Sequence, residues 1–366
     1  MIPSSRTSSS PRTLALVLIA IAVLTIAAPL AAAGTSGTWT LSGSLSTART
    51  NHTATLLPNG QVLVAGGSDP AGTVLSSAEL FNPASGTWTV TGSMATARRV
   101  HTATLLPNGQ VVVAGGISIA GDTATAEIYN PSTGLWTSTG SMKSIRSGQT
   151  ALLLPSGKVL VAGGSDASGF INTAELYNPS TGKWQTTGSM TYERGSQAVL
   201  LPSGKVLIAG SPQTAGERTA EQYSAGHWTL TSSMNESRTQ TTSAPLPTGG
   251  ALVCGRSISF SVFCEFYTPS SNTWTLAHSP GSDPTFAPML LLGTGNVLLA
   301  GGEHSDGVSN NCLLFVASTN SWLSTGLMKS QRVGHSITLM PNGQVLAVGG
   351  KNATSTVLGT TELYTP

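Results

Sequence analysis

The chain has 366 residues, 42 of them Gly, with 9% charged residues and a formal net charge of +2. Such a length exceeds an average domain, yet single all-β barrels and propellers reach it, and Gly, Thr and Ser with few charges suit short strands and tight turns. Without Arg6 and Arg12, 15 basic side chains face 15 acidic ones, which removes the basic footprint of a nucleic-acid or anionic-lipid binder.

Residues 1–33 read as a secretory signal. Arg6 and Arg12 supply a positive start, Leu14 to Ala28 is apolar apart from Thr25, and Pro29 precedes the small residues Ala31, Ala32 and Ala33. Cleavage there leaves Gly34 as the mature terminus and an exported chain with no membrane insertion. The alternative is an uncleaved anchor, since Leu14 to Ala33 would just span a bilayer. No Cys follows the run for lipid attachment.

From residue 34 to 366 the sequence repeats. All seven Trp share one register: Trp39, Trp88, Trp136, Trp184, Trp228, Trp274 and Trp322. Between them recur segments such as TATLLPNGQVLVAGG (53–67), TATLLPNGQVVVAGG (102–116), TALLLPSGKVLVAGG (150–164) and SITLMPNGQVLAVGG (336–350), each followed by a strand such as AELFNP or AELYNP. Four strands per unit follow. A first strand ends at a Pro-Asn-Gly or Pro-Ser-Gly turn, whose Gly supplies positive φ. The run Val-Leu-Val-Ala is then a strand buried on both faces. Gly-Gly stops it, a loop leads to the third strand, an Asn-Pro-Ser-Thr-Gly turn reverses the chain, and Trp opens an alternating fourth strand. A lone four-stranded unit cannot bury these faces, so the units must stack, and radial closure protects their edges.

Gly-Gly, a Tyr-containing strand and Trp in a unit of nearly fifty residues resemble the kelch repeat, as in the central domain of galactose oxidase. The resemblance spans residues 37 to 366 and implies an all-β, seven-bladed kelch-type β-propeller with four-stranded blades. The sixth unit departs most, with Phe315 for Tyr and Gly293-Thr294-Gly295 as its turn. The seventh unit stops at Leu363-Tyr364-Thr365-Pro366, before its Trp, while Gly37-Thr38-Trp39 stands unclaimed near residue 34. One closing blade is therefore expected to join both termini.

Most candidate chemical groups fall on repeat positions. Arg49, Arg98, Arg146, Arg194, Arg238 and Arg332 accompany Glu79, Glu127, Glu175, Glu221, Glu265 and Glu362, whereas the sixth unit has Pro284 and Leu313. Joint loss of both partners predicts an Arg–Glu ion pair within each unit. His52, His101 and His335 share a position held elsewhere by Gln149, Gln197, Thr241 and Ala287, and read as first-strand residues rather than metal ligands. Tyr129, Tyr177, Tyr223, Tyr267 and Tyr364 also recur in register, and no Tyr-His pair occurs. The copper-binding residues of galactose oxidase therefore have no counterparts to carry over, and no cofactor or metal is expected. Cys254 and Cys264 replace facing Ala positions in one unit, which predicts a cross-strand disulfide, with Cys312 as a buried thiol.

Two functions remain open. The favoured one is a secreted, non-catalytic module binding a protein or carbohydrate ligand, because no catalytic set is recognisable. The alternative is a carbohydrate-active enzyme, a galactose-oxidase-like oxidase or a sugar epimerase, with its site in the central channel. Strand alternation puts the Pro-Asn-Gly and Asn-Pro-Ser-Thr-Gly turns on one rim, nearly alike in most units. The loops after Gly-Gly and before each Arg lie on the other, where the sequence varies. Recognition is expected there, with Phe170, Tyr192, Arg256, Phe260, Glu303, His304 and Asp306 as binding candidates.

Overall fold

Thirty-four strands and no helix make up the described part of the chain, which in this computed structural model comprises residues 37–195, 197–210, 218–257, 262–280, 286–304 and 307–366, without the side chains of Gln240 and His304. The signal expected over residues 1–33 lies outside the described residues.

Seven four-stranded antiparallel sheets are formed, each from one continuous stretch of chain except the last, with a two-stranded hairpin inserted between the second and third strands of blades 2, 3 and 6. In blade 1 the order is Thr53–Leu56, Val62–Ala65, Ala78–Asn82 and Thr87–Thr91. Blades 2 to 6 repeat it, beginning at Thr102, Thr150, Ala198, Thr239 and Met289. Blade 7 holds Ser336–Leu339, Val345–Val348 and Thr360–Thr365, and takes its outer strand, Thr38–Ser44, from the other end of the propeller. The register Thr38↔Thr365, Trp39↔Tyr364 and Leu41↔Glu362 closes the ring.

Each second strand is buried at every position, as in Val62–Ala65 and Val159–Ala162, except for Arg256 at the end of the blade 5 strand. Its two faces fill the seams to both neighbours. Seven hydrophobic clusters result, one per seam: Leu106, Val112 and Ala114 of blade 2 meet Val159, Val161 and Tyr177 of blade 3, while Val62, Val64 and Phe81 of blade 1 meet Met340, Leu346 and Val348 of blade 7. The first strands touch one another successively around the ring and surround the central channel.

The Gly-Gly pair has two physical requirements. Gly66 and Gly67 adopt φ of 66° and 97°, which L side chains rarely adopt. A Cβ on Gly66 would also meet His101 of the next blade at 2.8 Å, and one on Gly67 would meet the carbonyl oxygen of Thr50 at 2.6 Å. In blade 5, Arg256 occupies the second Gly position. There the ladder continues, Arg256 pairing with Thr239 on one side and Val262 on the other.

Candidate functional site

The recurring charged side chains are committed to the scaffold. Arg49 Nη2 donates to Glu79 Oε1 at 2.9 Å, and Arg49 Nη1 donates to the carbonyl oxygens of Gly66 and Ser77 at 3.0 and 2.9 Å. Glu79 accepts the backbone N–H groups of Ser46 and Thr47. Arg98–Glu127, Arg146–Glu175, Arg194–Glu221, Arg238–Glu265 and Arg332–Glu362 repeat the pair within their own blades, all buried. Burial lowers each Arg pKa, against the pull of its carboxylate partner. Each pair pins the loop entering a blade to that blade's third strand, and its hydrogen bonds leave no carboxylate aimed at a ligand.

The three repeat histidines precede their first strands instead of lying in them, since the strands begin at Thr53, Thr102 and Ser336. Each crosses a seam. His52 Nε2 lies 2.9 Å from Ser336 Oγ and His101 Nε2 lies 3.0 Å from Thr53 Oγ1, both hydrogen bonds to the preceding blade. Gln149 and Thr241 do the same by donating to the carbonyl oxygens of Ala114 and Ala209. Burial, with the nearby Arg98 and Arg332 charges second, pushes His101 and His335 down to about 3. His52 falls well below its usual range from burial and then Arg49. These rings stay neutral and serve as seam plugs. Among the described residues no three His, Cys, Asp or Glu side chains are placed to hold a metal ion.

The repeat tyrosines are likewise used. Tyr129, Tyr177, Tyr223 and Tyr364 hydroxyls bond Thr91, Thr139, Thr187 and Thr325 across seams, and Tyr267 donates to Asn272. Cys254 and Cys264 face each other in the ladder and form the expected disulfide. Cys312 is a buried free thiol that burial pushes up to about 12.

The upper rim, carrying the Gly-Gly loops and the loops before each Arg, holds the binding candidates. Phe170 ends a small hairpin, Ser165–Asp166 with Gly169–Phe170, on blade 3. Its ring lies against the backbone of Gly195, where a Cβ would overlap it. The Arg194 guanidinium stands 5.8 Å from the centre of the Tyr192 ring. Phe170 and Tyr192 thus flank one segment, Arg194–Gly195, at the seam of blades 3 and 4. Arg256 ends its strand on blade 5, and exposed Glu303 opens a hairpin of the same kind, Glu303–His304 with Gly307–Val308, on blade 6. Phe260, Asp306 and the side chain of His304 lie outside the described residues.

The sequence reading missed the channel mouth. Two residues after Arg49, Arg98, Arg146 and Arg332, the chain turns into the first strand through a left-handed residue: Asn51 at φ 56°, Val100 at 54°, Gly148 at 61° and Gly334 at 65°. Phe286 takes the same position in blade 6 at 54°. Successive blades are linked here, Asn51 N–H donating to Gly334 O, Val100 N–H to Asn51 O and Gly148 N–H to Val100 O. Gly and Asn accept that conformation, but a β-branched Val and a bulky Phe are strained in it. Phe286 is also 52% exposed. The only sequence signal was apolar side chains where the sister units carry Asn51, Gly148, Ser196, Gln240 and Gly334.

The kelch motif is matched at residues 49–95, 98–143 and 151–191. No curated protein matches the chain. Among solved structures, a fungal alcohol oxidase of the AA5 family in complex with copper is similar, with a TM-score of 0.70 and 16% identity over 91% of this chain and 76% of that one. Likeness at that identity concerns the fold, and it agrees with the seven closed seams and the matched motifs. The chain is a seven-bladed β-propeller with four-stranded blades that carries kelch motifs.

Proposed function

We propose that the protein is an exported, non-catalytic binding module that takes a protein or carbohydrate ligand on its upper rim, at and around the channel mouth. The observation that carries this reading is the pair Val100 and Phe286, held at φ 54° around the mouth where Gly or Asn would be relaxed. Strain held in a β-branched and a bulky side chain on a regular scaffold points to a use for those side chains, and an exposed aromatic is a common anchor for ligands. Phe170 and Tyr192 extend the apolar surface outward, and Arg256 and Glu303 add charge farther round the rim. The Cys254–Cys264 disulfide fits an oxidising compartment. No helix among the described residues is long and apolar enough to cross a membrane.

A second reading, an enzyme oxidising or epimerising carbohydrate, has the fold shared with a copper alcohol oxidase as its support. The described residues do not fit a copper site: five of the tyrosines are bonded to Thr or Asn side chains, and the repeat histidines are packed into seams. Glycan-array binding by the purified protein, repeated with F286N and Y192A variants, tests the first reading. Ligand retention weakened by either change supports it. Stoichiometric copper uptake with peroxide formation from a sugar would establish the second.

A further inference from the structure

The lower rim is built of the turns between first and second strands and between third and fourth strands. All are described, and none contains an Asp or Glu. Its charged side chains are Lys158, Lys183 and Lys205, confined to blades 3 and 4. The ladder registers align them. Val159 pairs with Tyr177 and Asn178 with Lys183, so Lys158, Asn178 and Lys183 form one row across blade 3. Val206 pairs with Tyr223 and Ser224 with His227, so Lys205, Ser224 and His227 form the equivalent row across blade 4. The two rows adjoin, because a Cβ on Gly204 would meet Pro155 at 2.9 Å across the seam. In blade 1 the same row reads Gln61, Asn82, Thr87, and in blade 2 it reads Gln110, Asn130, Leu135. None of the three ammonium groups has a hydrogen-bond or ion-pair partner among the described residues.

Beside the first row lies a recess of about 480 Å³, bordered by Asn108 of blade 2 and by Ser156, Lys158, Asn178 and Ser180 of blade 3. One cation with amide and hydroxyl groups around a space of that size suits a sugar ring bearing a carboxylate. A comparable recess of about 380 Å³ between blades 5 and 6 is lined by Leu246, Phe266 and Phe315 and carries no charge. The turns of blades 3 and 4 contain no Phe, Tyr, Trp or Arg, the residues on which single-stranded nucleic acid stacks. Three lysines also fall short of the four to eight that mark an anionic-lipid surface.

We infer that the lower rim of blades 3 and 4 is a second binding surface, for an acidic polysaccharide, with one uronate ring in the Lys158 recess and neighbouring carboxylates on Lys183 and Lys205. The site is independent of the upper-rim reading. Its partner must be polyanionic, since isolated exposed charge pairs are weak and only several together hold a chain.

Titration of the purified protein with a short oligogalacturonate tests it, with the fully methyl-esterified oligomer as the uncharged control. Binding to the acid form alone, weakened by added salt, is expected. A K158Q/K183T/K205Q variant replaces each lysine with the residue of a sister blade, so its melting temperature should not move. Binding should weaken about 5-fold for each lysine removed, and F286N on the other rim should leave it unchanged. The inference is overturned if the oligogalacturonate does not bind, if the triple variant binds it as well as the parent, or if polyglutamate or phosphatidylserine vesicles bind more tightly than the oligogalacturonate.

Discussion

Trp39 packs on Tyr364 with ring centroids 5.1 Å apart and planes at 41°, joining two residues at opposite ends of the propeller. The same pair, Tyr or Phe on the third strand with Trp on the fourth, recurs in each blade at 5.0 to 5.2 Å. Here it is also the ring closure. Trp39 is buried and belongs to the cluster between blades 6 and 7, so W39A should destabilise by about 3–5 kcal/mol, the usual cost of truncating a buried large aromatic. Deleting residues 37–45 should do at least as much, because it also unpairs Thr360–Thr365. Thermal melts measure both. An unchanged melting temperature in the deletion would contradict closure by Thr38–Ser44.

The disulfide closes a short loop, with a sequence separation of 10. Chain-entropy arguments give such a loop about 2–3 kcal/mol of stabilisation. A C254A/C264A variant should lose that amount in denaturant unfolding. Alkylation of the unfolded protein without reductant should label Cys312 alone, and all three Cys after reduction.

The ion pairs separate two effects. Removing one partner leaves a buried charge without its counter-charge, so E175Q should cost about 3–5 kcal/mol. Replacing both with apolar residues, R146M/E175L, should cost less than E175Q, because no charge is left stranded. The sixth blade is a natural precedent, with Leu313 where its sisters have Glu. A double variant worse than the single one would mean that the guanidinium bonds to Gly163 and Thr173 carbonyls matter more than the pair itself.

Acid sensitivity should follow from the seam histidines. In the unfolded chain each titrates near 6.5, whereas His101 and His335 in the fold titrate near 3. Between those values the unfolded chain binds more protons, so stability is full above about pH 6.5 and declines as pH falls toward 3. Each of these two histidines contributes a slope of about 1.4 kcal/mol per pH unit within that window. Gln already fills the position as Gln149, so an H52Q/H101Q/H335Q variant should flatten the stability profile between pH 6.5 and 4. Parallel profiles for variant and parent would show that carboxylates set the acid limb.

The blades were legible in the sequence because each unit repeats the same solution to the same packing problem. Val-Leu-Val-Ala announces a strand buried on both faces, and the stranded Gly37-Thr38-Trp39 announces the closure. The ion pairs were legible through their joint loss in unit six. Contacts across seams were not. Nothing local in His101 shows that it lies under Gly66 of the preceding blade, and nothing local in Lys158 and Lys183 shows that they share a row until the registers are known. The left-handed mouth was hidden for a further reason: Val and Phe are residues from which positive φ is not expected.

Those two residues give the last expectation. If Val100 and Phe286 are kept for a ligand, relieving their backbone should cost binding and not stability. Asn is the apt replacement, since Asn51 already holds the position at φ 56° and tolerates it without the extra unfolded-state entropy that Gly brings. Phe286 is 52% exposed and loses little buried area on replacement, so F286N should raise stability by about 1 kcal/mol, the lower end of what a left-handed bulky residue costs. V100N should gain less, because one Val100 methyl stands near Gly148, 3.8 Å from where that residue's Cβ would be. Calorimetry on both variants, beside the glycan-array signal of each, separates the cases. Higher melting temperatures with weakened ligand retention place the recognition surface at the mouth. A loss of stability in both would make the side chains packing elements of the ring, and the upper-rim site would then have to rest on Phe170, Tyr192, Arg256 and Glu303.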